Sequence, residues 1–213
     1  MRIKIIPNTP ALILKNKVVI ADLHLGLFNF FDKFVIEKAL EIAELGDELI
    51  VLGDLKHLGK KGKVREFIES VKSVGVHLIV VKGNHDINFD VNVNLESSRG
   101  IRVGKYGLFH GHANPSDDVL QAKKLIFAHA HPSILLIDSV GGIKKRVWLE
   151  GKVEIGGDKK DLLVMPAFND LCASTAVNIE KPAGVMFKKW DYKTAKAILL
   201  DGTLLNLDNL LSF

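Results

Sequence analysis

Hydrophobic residues along this chain come first in short runs and then at helical spacing. Val18–Ala21, Leu49–Leu52, 76–81, 106–110 and 124–128 are apolar runs of strand length. Residues 32–45 place Phe34, Ile36, Ala39, Leu40, Ile42 and Ala43 among charges at a spacing that predicts an amphipathic helix, and residues 63–74 predict a second. A strand–helix rhythm of this kind predicts an α/β fold around a substantial sheet. The last third reads differently. Ile134–Asp138, Arg146–Leu149, Leu162–Met165, Val185–Trp190 and Lys196–Leu207 are short strand-like runs, and Asp201-Gly202 divides the last of them as a hairpin turn would. No repeat and no Pro/Ser/Gly-rich linker interrupts the pattern. The expectation is one domain over residues 1–213, with two facing sheets and helices outside.

Composition changes this picture little. Apolar residues make up 47% of the 213 positions and charged residues 25%, an ordinary globular balance. The N-terminus carries charges where a secretion signal needs its apolar core. No run approaches the roughly 18 apolar residues of a membrane span. The single cysteine, Cys172, allows no internal disulfide. These features point to a cytoplasmic protein with no membrane contact, and they are compatible with a homo-oligomer. The net charge of +4 tolerates an anionic substrate without indicating nucleic acid.

The chemistry lies where the strands end. The five runs of the α/β part lead in turn into Asp22-Leu23-His24, Gly53-Asp54-Leu55-Lys56-His57, Gly83-Asn84-His85-Asp86, His110-Gly111-His112 and His129-Ala130-His131. Seven of the eight histidines fall in these loops; only His77 does not, and it reads as structural. Turns favour Asn, Gly and Asp for their own reasons, but scattered core histidines would not sort this way. Sites in α/β sheets gather at the carboxyl ends of strands. Asp oxygens, imidazole nitrogens and an Asn carbonyl suit borderline divalent ions: Mn²⁺, Fe²⁺, Ni²⁺ or Zn²⁺. One cysteine excludes a Cys-based structural zinc site. Gly-x-x-x-x-Gly-Lys is absent, which excludes a P-loop motor.

In this order the five motifs resemble those of the calcineurin-like metallophosphoesterases. Gly-Asp-Leu-Lys-His and Ala-His-Ala-His-Pro are further similar to the branch of DNA-ligase-associated phosphoesterases. The resemblance implies a four-layer α/β–β/α sandwich with two central mixed sheets and a dinuclear centre, Mn²⁺ favoured. It implies Asp22, His24 and His131 on one ion, Asn84, His110 and His129 on the other, and Asp54 between them. It leaves His85 beside the ions, unligated. The family usually has Gly before its last His-x-His; Ala128 stands there in this chain.

Two such ions bring +4 and two carboxylates return −2, which favours an anionic phosphoester over a neutral amide. The implied reaction is direct attack on phosphorus by a metal-bridging hydroxide. His85 is the expected proton donor to the leaving group, with Asp86 orienting it. His57 and His112 are candidates either to orient ligands or to touch substrate. Lys56, Lys60, Lys61, Lys63 and Arg65 form a basic segment for phosphate docking or simply a solvated face, and Lys144-Lys145-Arg146 carries the same alternatives. Asn169 and Asp170 follow a strand as an exposed pair, lining the pocket or making a plain turn. Lys82 stands where related protein phosphatases carry Arg, which leans away from phosphoproteins. The expected activity is phosphodiester hydrolysis on nucleotides or nucleic-acid ends. A DNA/RNA nuclease acting with repair proteins and a non-catalytic scaffold are the alternatives.

Overall fold

The computed structural model describes residues 3–58, 62–88, 91–137 and 139–210. Lys60, Lys61 and Asp138 lie outside the described residues. Six strands form the first sheet in sequence order: β1 (Ile3–Ile5), β2 (Leu12–Leu14), β3 (Lys17–Ile20), β4 (Glu48–Leu52), β5 (His77–Val81) and β6 (Asn94–Glu96). From β3 to β6 the pairing is parallel. Helices α1 (Asp32–Ala43) and α2 (Val64–Ser73) make the first two crossovers of that parallel part.

The second sheet runs β13 (Thr175–Ala176), β10 (Pro132–Ile137), β11 (Gly142–Ile155), β12 (Asp158–Val164), β9 (Lys124–Phe127), β8 (Tyr106–Phe109) and β7 (Ile101–Val103). A hairpin of β14 (Lys196–Leu199) and β15 (Leu204–Asn206) joins it along β11. The turn at Asp201-Gly202 is therefore the expected one.

Strand alternation explains how the two sheets stack. Leu49 and Val51 of β4 pack with Val35, Ile36 and Ala39 of α1 and Phe67 and Ile68 of α2. Ile50 and Leu52, pointing the other way, meet Leu108, Ile126, Trp148 and Leu163 of the second sheet. Leu125 and Phe127 of β9 face outward from that sheet, with Leu162, Val164 and Phe187. Each strand residue thus serves one of two cores according to its parity. Each fully buried aliphatic or aromatic side chain contributes about 1.5–3 kcal/mol relative to exposure.

The fold is the expected mixed α/β arrangement of two sheets. The cover on the far face of the second sheet differs from the expectation of helices. It consists of the four-residue α3 (Asp117–Leu120) and 3₁₀ turns at Met186–Lys188, Tyr192–Thr194 and Asp208–Leu210. Val185–Trp190 is correspondingly not a strand. Met186, Phe187 and Trp190 are all buried against one core, a spacing of one and four that a helical turn satisfies and alternation does not. Strands β1, β2, β6, β7 and β13 are additional to the sequence pattern. Among the described residues, no helix is long and apolar enough to cross a membrane.

Candidate metal centre

Strands β3, β4, β5, β8 and β9 all end on one side of the molecule, where the two sheets meet. Beyond β4 the chain keeps the alternation of a strand, but beyond β3 it slips by one: Ala21 faces the second sheet while Leu23 and Leu25 face the helices, and Asp22, at φ 56°, takes up the shift. The Asp22 and His24 N–H groups donate to Gly53 O and Asp54 O, and Leu25 N–H to Leu55 O. Leu23 and Leu25 point into the helix-side core, fully buried. Asp22, His24 and Asp54 are thereby turned the other way, toward the second sheet. From that sheet His110 donates Nδ1–H to Leu52 O at 2.8 Å, and His129 N–H donates to Asp22 Oδ2 at 3.2 Å.

The structure brings the seven expected ligands into one cluster. Donor atoms of Asp22, His24 and Asp54 lie within 4.8 Å of one another, and so do those of Asp54, His110 and His129. Asp54 belongs to both groups. His131 Nε2 lies 3.4 Å from His24 Nε2 and 3.4 Å from Asp22 Oδ1. Asn84 Oδ1 lies 3.2 Å from His110 Nε2.

The backbone bears the strain of this convergence. Asp22, His24, Asp54, His129 and His131 all have φ between 44° and 71°, a left-handed region that costs non-glycine residues about 1–3 kcal/mol each. Such strain persists where surrounding structure enforces it, and it clusters at functional sites. Two glycines are fixed by the same crowding. A Cβ at Gly53 would collide with the His110 ring, and one at Gly83 with the Asp54 carboxylate. Ala128, in contrast, has room: its methyl packs between the sheets with Leu52 and Trp148.

The electrostatics ask for cations. Burial pushes the Asp22 and Asp54 carboxyls up, but His131 and His110 respectively outweigh it and hold both below the usual carboxylate range. Reciprocally, burial acts to lower His131 and His110, and the same carboxylates win. His131 is raised to about 9, chiefly by the Asp22 charge, and His110 is raised by Asp54 and Asp22. Burial lowers His24, His129 and His112 to about 4 each. The proton on His131 thus stands in for part of the positive charge that this pair of carboxylates requires, and the upward shift of His110 acts in the same direction. Asp22 Oδ1, fully buried, accepts no well-formed hydrogen bond among the described residues; His131 Nε2 stands 3.4 Å away. A buried, charged oxygen in that state is costly unless an ion completes it. Oxygen and imidazole donors on both flanks of one shared carboxylate fit two divalent cations.

The remaining candidates divide. His85 N–H donates to Asp54 Oδ1 at 2.8 Å, and its ring stands edge-on to His24 with centroids 4.8 Å apart. Its Nδ1 accepts the Leu58 N–H at 3.0 Å. Asp86 does not orient that ring. Its two oxygens accept the N–H groups of Lys56 and Gly83, so the carboxylate ties the Asn84 turn to the Asp54 loop. Leu58 is the residue that orients His85. His57 stands behind His24, Nδ1 to Nδ1 at 3.5 Å. His112 lies against His110 and His129, with ring centroids 5.1 and 6.0 Å away.

Asn169 is buried, not exposed. It donates Nδ2–H to Leu23 O and accepts from Leu171 N–H, which fastens the chain after β12 to the Asp22 turn. Asp170 is exposed and pairs with Arg146 and Lys38. Lys144 pairs with Glu180 and Lys63 with Glu66. His77 opens β5 and is exposed. Cys172 is the residue that motif reading missed at the centre: its Sγ lies within 4.8 Å of ligand atoms of both His24 and His131. It arrives on the loop that Asn169 anchors, 41 positions beyond the last motif, and no local pattern marks it.

Residues 17–165 match the sequence profile of the calcineurin-like phosphoesterases. The chain belongs to this family. The family comprises metal-dependent phosphoesterases, in keeping with a hydrolase and with the acidic and imidazole groups gathered around Asp54. Solved structures that the chain is similar to include Vps29 of Entamoeba histolytica. A single mutant of that protein is 19% identical, over 74% of this chain and 77% of its own, with a TM-score of 0.38. A zinc complex of it is 16% identical, over 90% and 98%, with a TM-score of 0.35. A predicted phosphoesterase of Streptococcus pneumoniae is 15% identical, over 89% and 91%, also at 0.35. Among curated proteins the chain has no significant match.

Proposed function

We propose that this phosphoesterase hydrolyses phosphodiester bonds, on nucleotides or nucleic-acid ends, at the centre shared by Asp22, His24, Asp54, Asn84, His110, His129 and His131. Two divalent cations bound there, Mn²⁺ favoured, would supply a nucleophilic water active near neutral pH and charge to hold the phosphoryl oxygens. The chain's own contribution is a hydrogen bond to the leaving group and positioning.

The observation that carries the reading is the Leu58 N–H bonded to His85 Nδ1. A ring nitrogen that accepts a hydrogen bond carries no proton of its own, so in the neutral ring the proton sits on Nε2. The His85 N–H bond to Asp54 Oδ1 ties the same residue to the carboxylate common to both halves of the cluster. A fixed Nε2–H donor beside the centre can hydrogen-bond the oxygen on which negative charge develops as the leaving group departs, and the released alkoxide then takes its proton from water. A scaffold that merely retained the fold would have no use for this tautomer.

The test is hydrolysis of a dinucleoside phosphate, whose leaving group is an alkoxide, with added Mn²⁺, for the parent and His85→Ala. Turnover falls by about 10²–10³-fold while bound metal, measured by mass spectrometry, stays the same. Unchanged turnover removes His85 from the leaving group. A parent inactive on every diester tried would return the chain to the scaffold reading.

A further inference from the structure

The segment leading from the Asp22–His24 turn into α1 carries Phe28, Phe30, Phe31 and Phe34, four phenylalanines in seven positions. All are exposed, by 53, 77, 43 and 48% respectively. Single exposed apolar residues need no explanation, but a contiguous aromatic cluster does. The helix does not need these rings for packing, since Val35, Ile36, Ala39, Ile42 and Ala43 already bury its inner face.

Two of the four shape a cleft of about 300 Å³. Phe31, Phe34 and Leu171 line it together with the buried Phe168, and Lys38 and Asp170 complete the lining. Lys38 Nζ lies 3.3 Å from Asp170 Oδ1 and 5.1 Å above the Phe168 ring. The cleft adjoins the metal centre through the backbone. Phe168 N–H donates to Ala21 O at 2.8 Å, and Asn169 Nδ2–H to Leu23 O at 2.8 Å. Its far wall is therefore bonded to the loop that presents Asp22 and His24. Its near wall is the start of α1, which a βα unit places at the carboxyl edge of the sheet, level with the ligands.

We infer that this cleft seats a nucleobase of the phosphodiester substrate, one attached to the phosphate held at the metal centre. The inference rests on the hydrolase reading above and narrows its substrate class. Three features select this occupant. Phenyl and leucyl walls accept a flat π-face, and stacking on such rings is tolerant of base identity. The rim carries Lys38 and Asp170, which pair with one another yet stay partly exposed and keep further donor and acceptor capacity for a base edge. The volume is at the lower end for small-molecule sites, suited to a ring and its sugar rather than a docked helix.

Two esters with one leaving group test it: thymidine 5′-(p-nitrophenyl phosphate) and ethyl p-nitrophenyl phosphate, with the Mn²⁺-loaded protein. The nucleoside ester has about tenfold higher kcat/KM, mostly through KM. Phe34→Ala and, separately, Leu171→Ala bring the ratio of the two substrates close to one. Both positions are half-exposed, and thermal melts verify that the variants fold. Equal hydrolysis of both esters by the parent overturns the base site while leaving the hydrolase intact. So does an unchanged ratio in both variants, or a parent dimer that Phe34→Ala dissociates without altering the ratio; the rings would then cover a second copy. If neither ester is cleaved, the hydrolase reading falls, and calorimetry still decides the cleft. Thymidine ester binding weakened about tenfold by Phe34→Ala upholds it, and equal binding overturns it.

Discussion

The two flanks of Asp54 use the same ligand types but differ in charge and access. One flank combines the Asp22 carboxylate with His24 and His131, and the Cys172 thiol lies beside them. The other has His110, His129 and the neutral Asn84, and no carboxylate beyond the shared one. His110 is wholly buried and locked to Leu52 O at the end of β4. The His131 side chain keeps 17% of its surface exposed, and its Nδ1 is held by Ala173 O on a loop while its Nε2 faces Asp22. The difference separates two properties of a paired site. Carboxylates set how strongly a flank attracts a cation, and burial sets how easily the flank exchanges it.

The largest effect should come from removing what the flanks share. Asp54→Ala leaves the His110 and His24 rings without their common counter-charge and deprives the His85 N–H of its acceptor. Metal content, read by mass spectrometry, should fall from about two ions per chain to below one, with loss of diester hydrolysis. A variant that still holds two ions would dismiss Asp54 as the common ligand. The next effect sharpens the contrast. Asp22→Asn deletes a charge and Asn84→Ala only a neutral oxygen, so calorimetry with Mn²⁺ should show the first weakening the tighter site by roughly an order of magnitude more than the second weakens the looser one. Equal losses would mean that charge does not distinguish the flanks.

The same asymmetry marks what a reader of the sequence could see. Motifs after β3, β4, β5, β8 and β9 announce their ligands because each strand must release its chain at the sheet's carboxyl edge. The side on which Asp22 and His24 fall is not announced: continued from Val18 and Ile20, strand parity would turn Asp22 toward the helices, and its positive φ reverses that. The supporting contacts are less legible. Asp86 looks from its position like a partner for His85, yet its oxygens are claimed by backbone N–H groups of Gly83 and Lys56. Leu58, which does hold His85, contributes only its backbone, and any residue but proline could do so. Asn169 and Cys172 reach the centre through long-range hydrogen bonds that leave no local pattern. Phe34 counts as a core residue by helical spacing, but Val35 takes the inward place and leaves Phe34 to the cleft. Spacing reports which face of an element is apolar; it does not report that a second apolar face has been left open.

The smallest effect is one of stability and belongs to the protein stripped of metal by chelation. His131 has its folded pKa raised from 6.5 to about 9. Its contribution is complete below pH 6.5 and is lost as pH rises through about 9, because over that range only the folded state holds the proton. His24 and His129 are lowered to about 4. Between pH 4 and 6.5 the unfolded chain binds their protons and the folded chain does not, so their contribution is lost as pH falls. The two slopes have opposite sign and meet near pH 6.5, where the metal-free protein should be most stable. One proton of difference is worth about 1.4 kcal/mol per pH unit, and solvent at the partly open His131 reduces that. Urea midpoints across pH 5–10 measure the curve. Saturating Mn²⁺ should remove the alkaline decline, since the cation then replaces the proton on His131 as the partner of Asp22. An alkaline limb that survives metal binding would show that the cations do not displace the protons held beside Asp22 and Asp54.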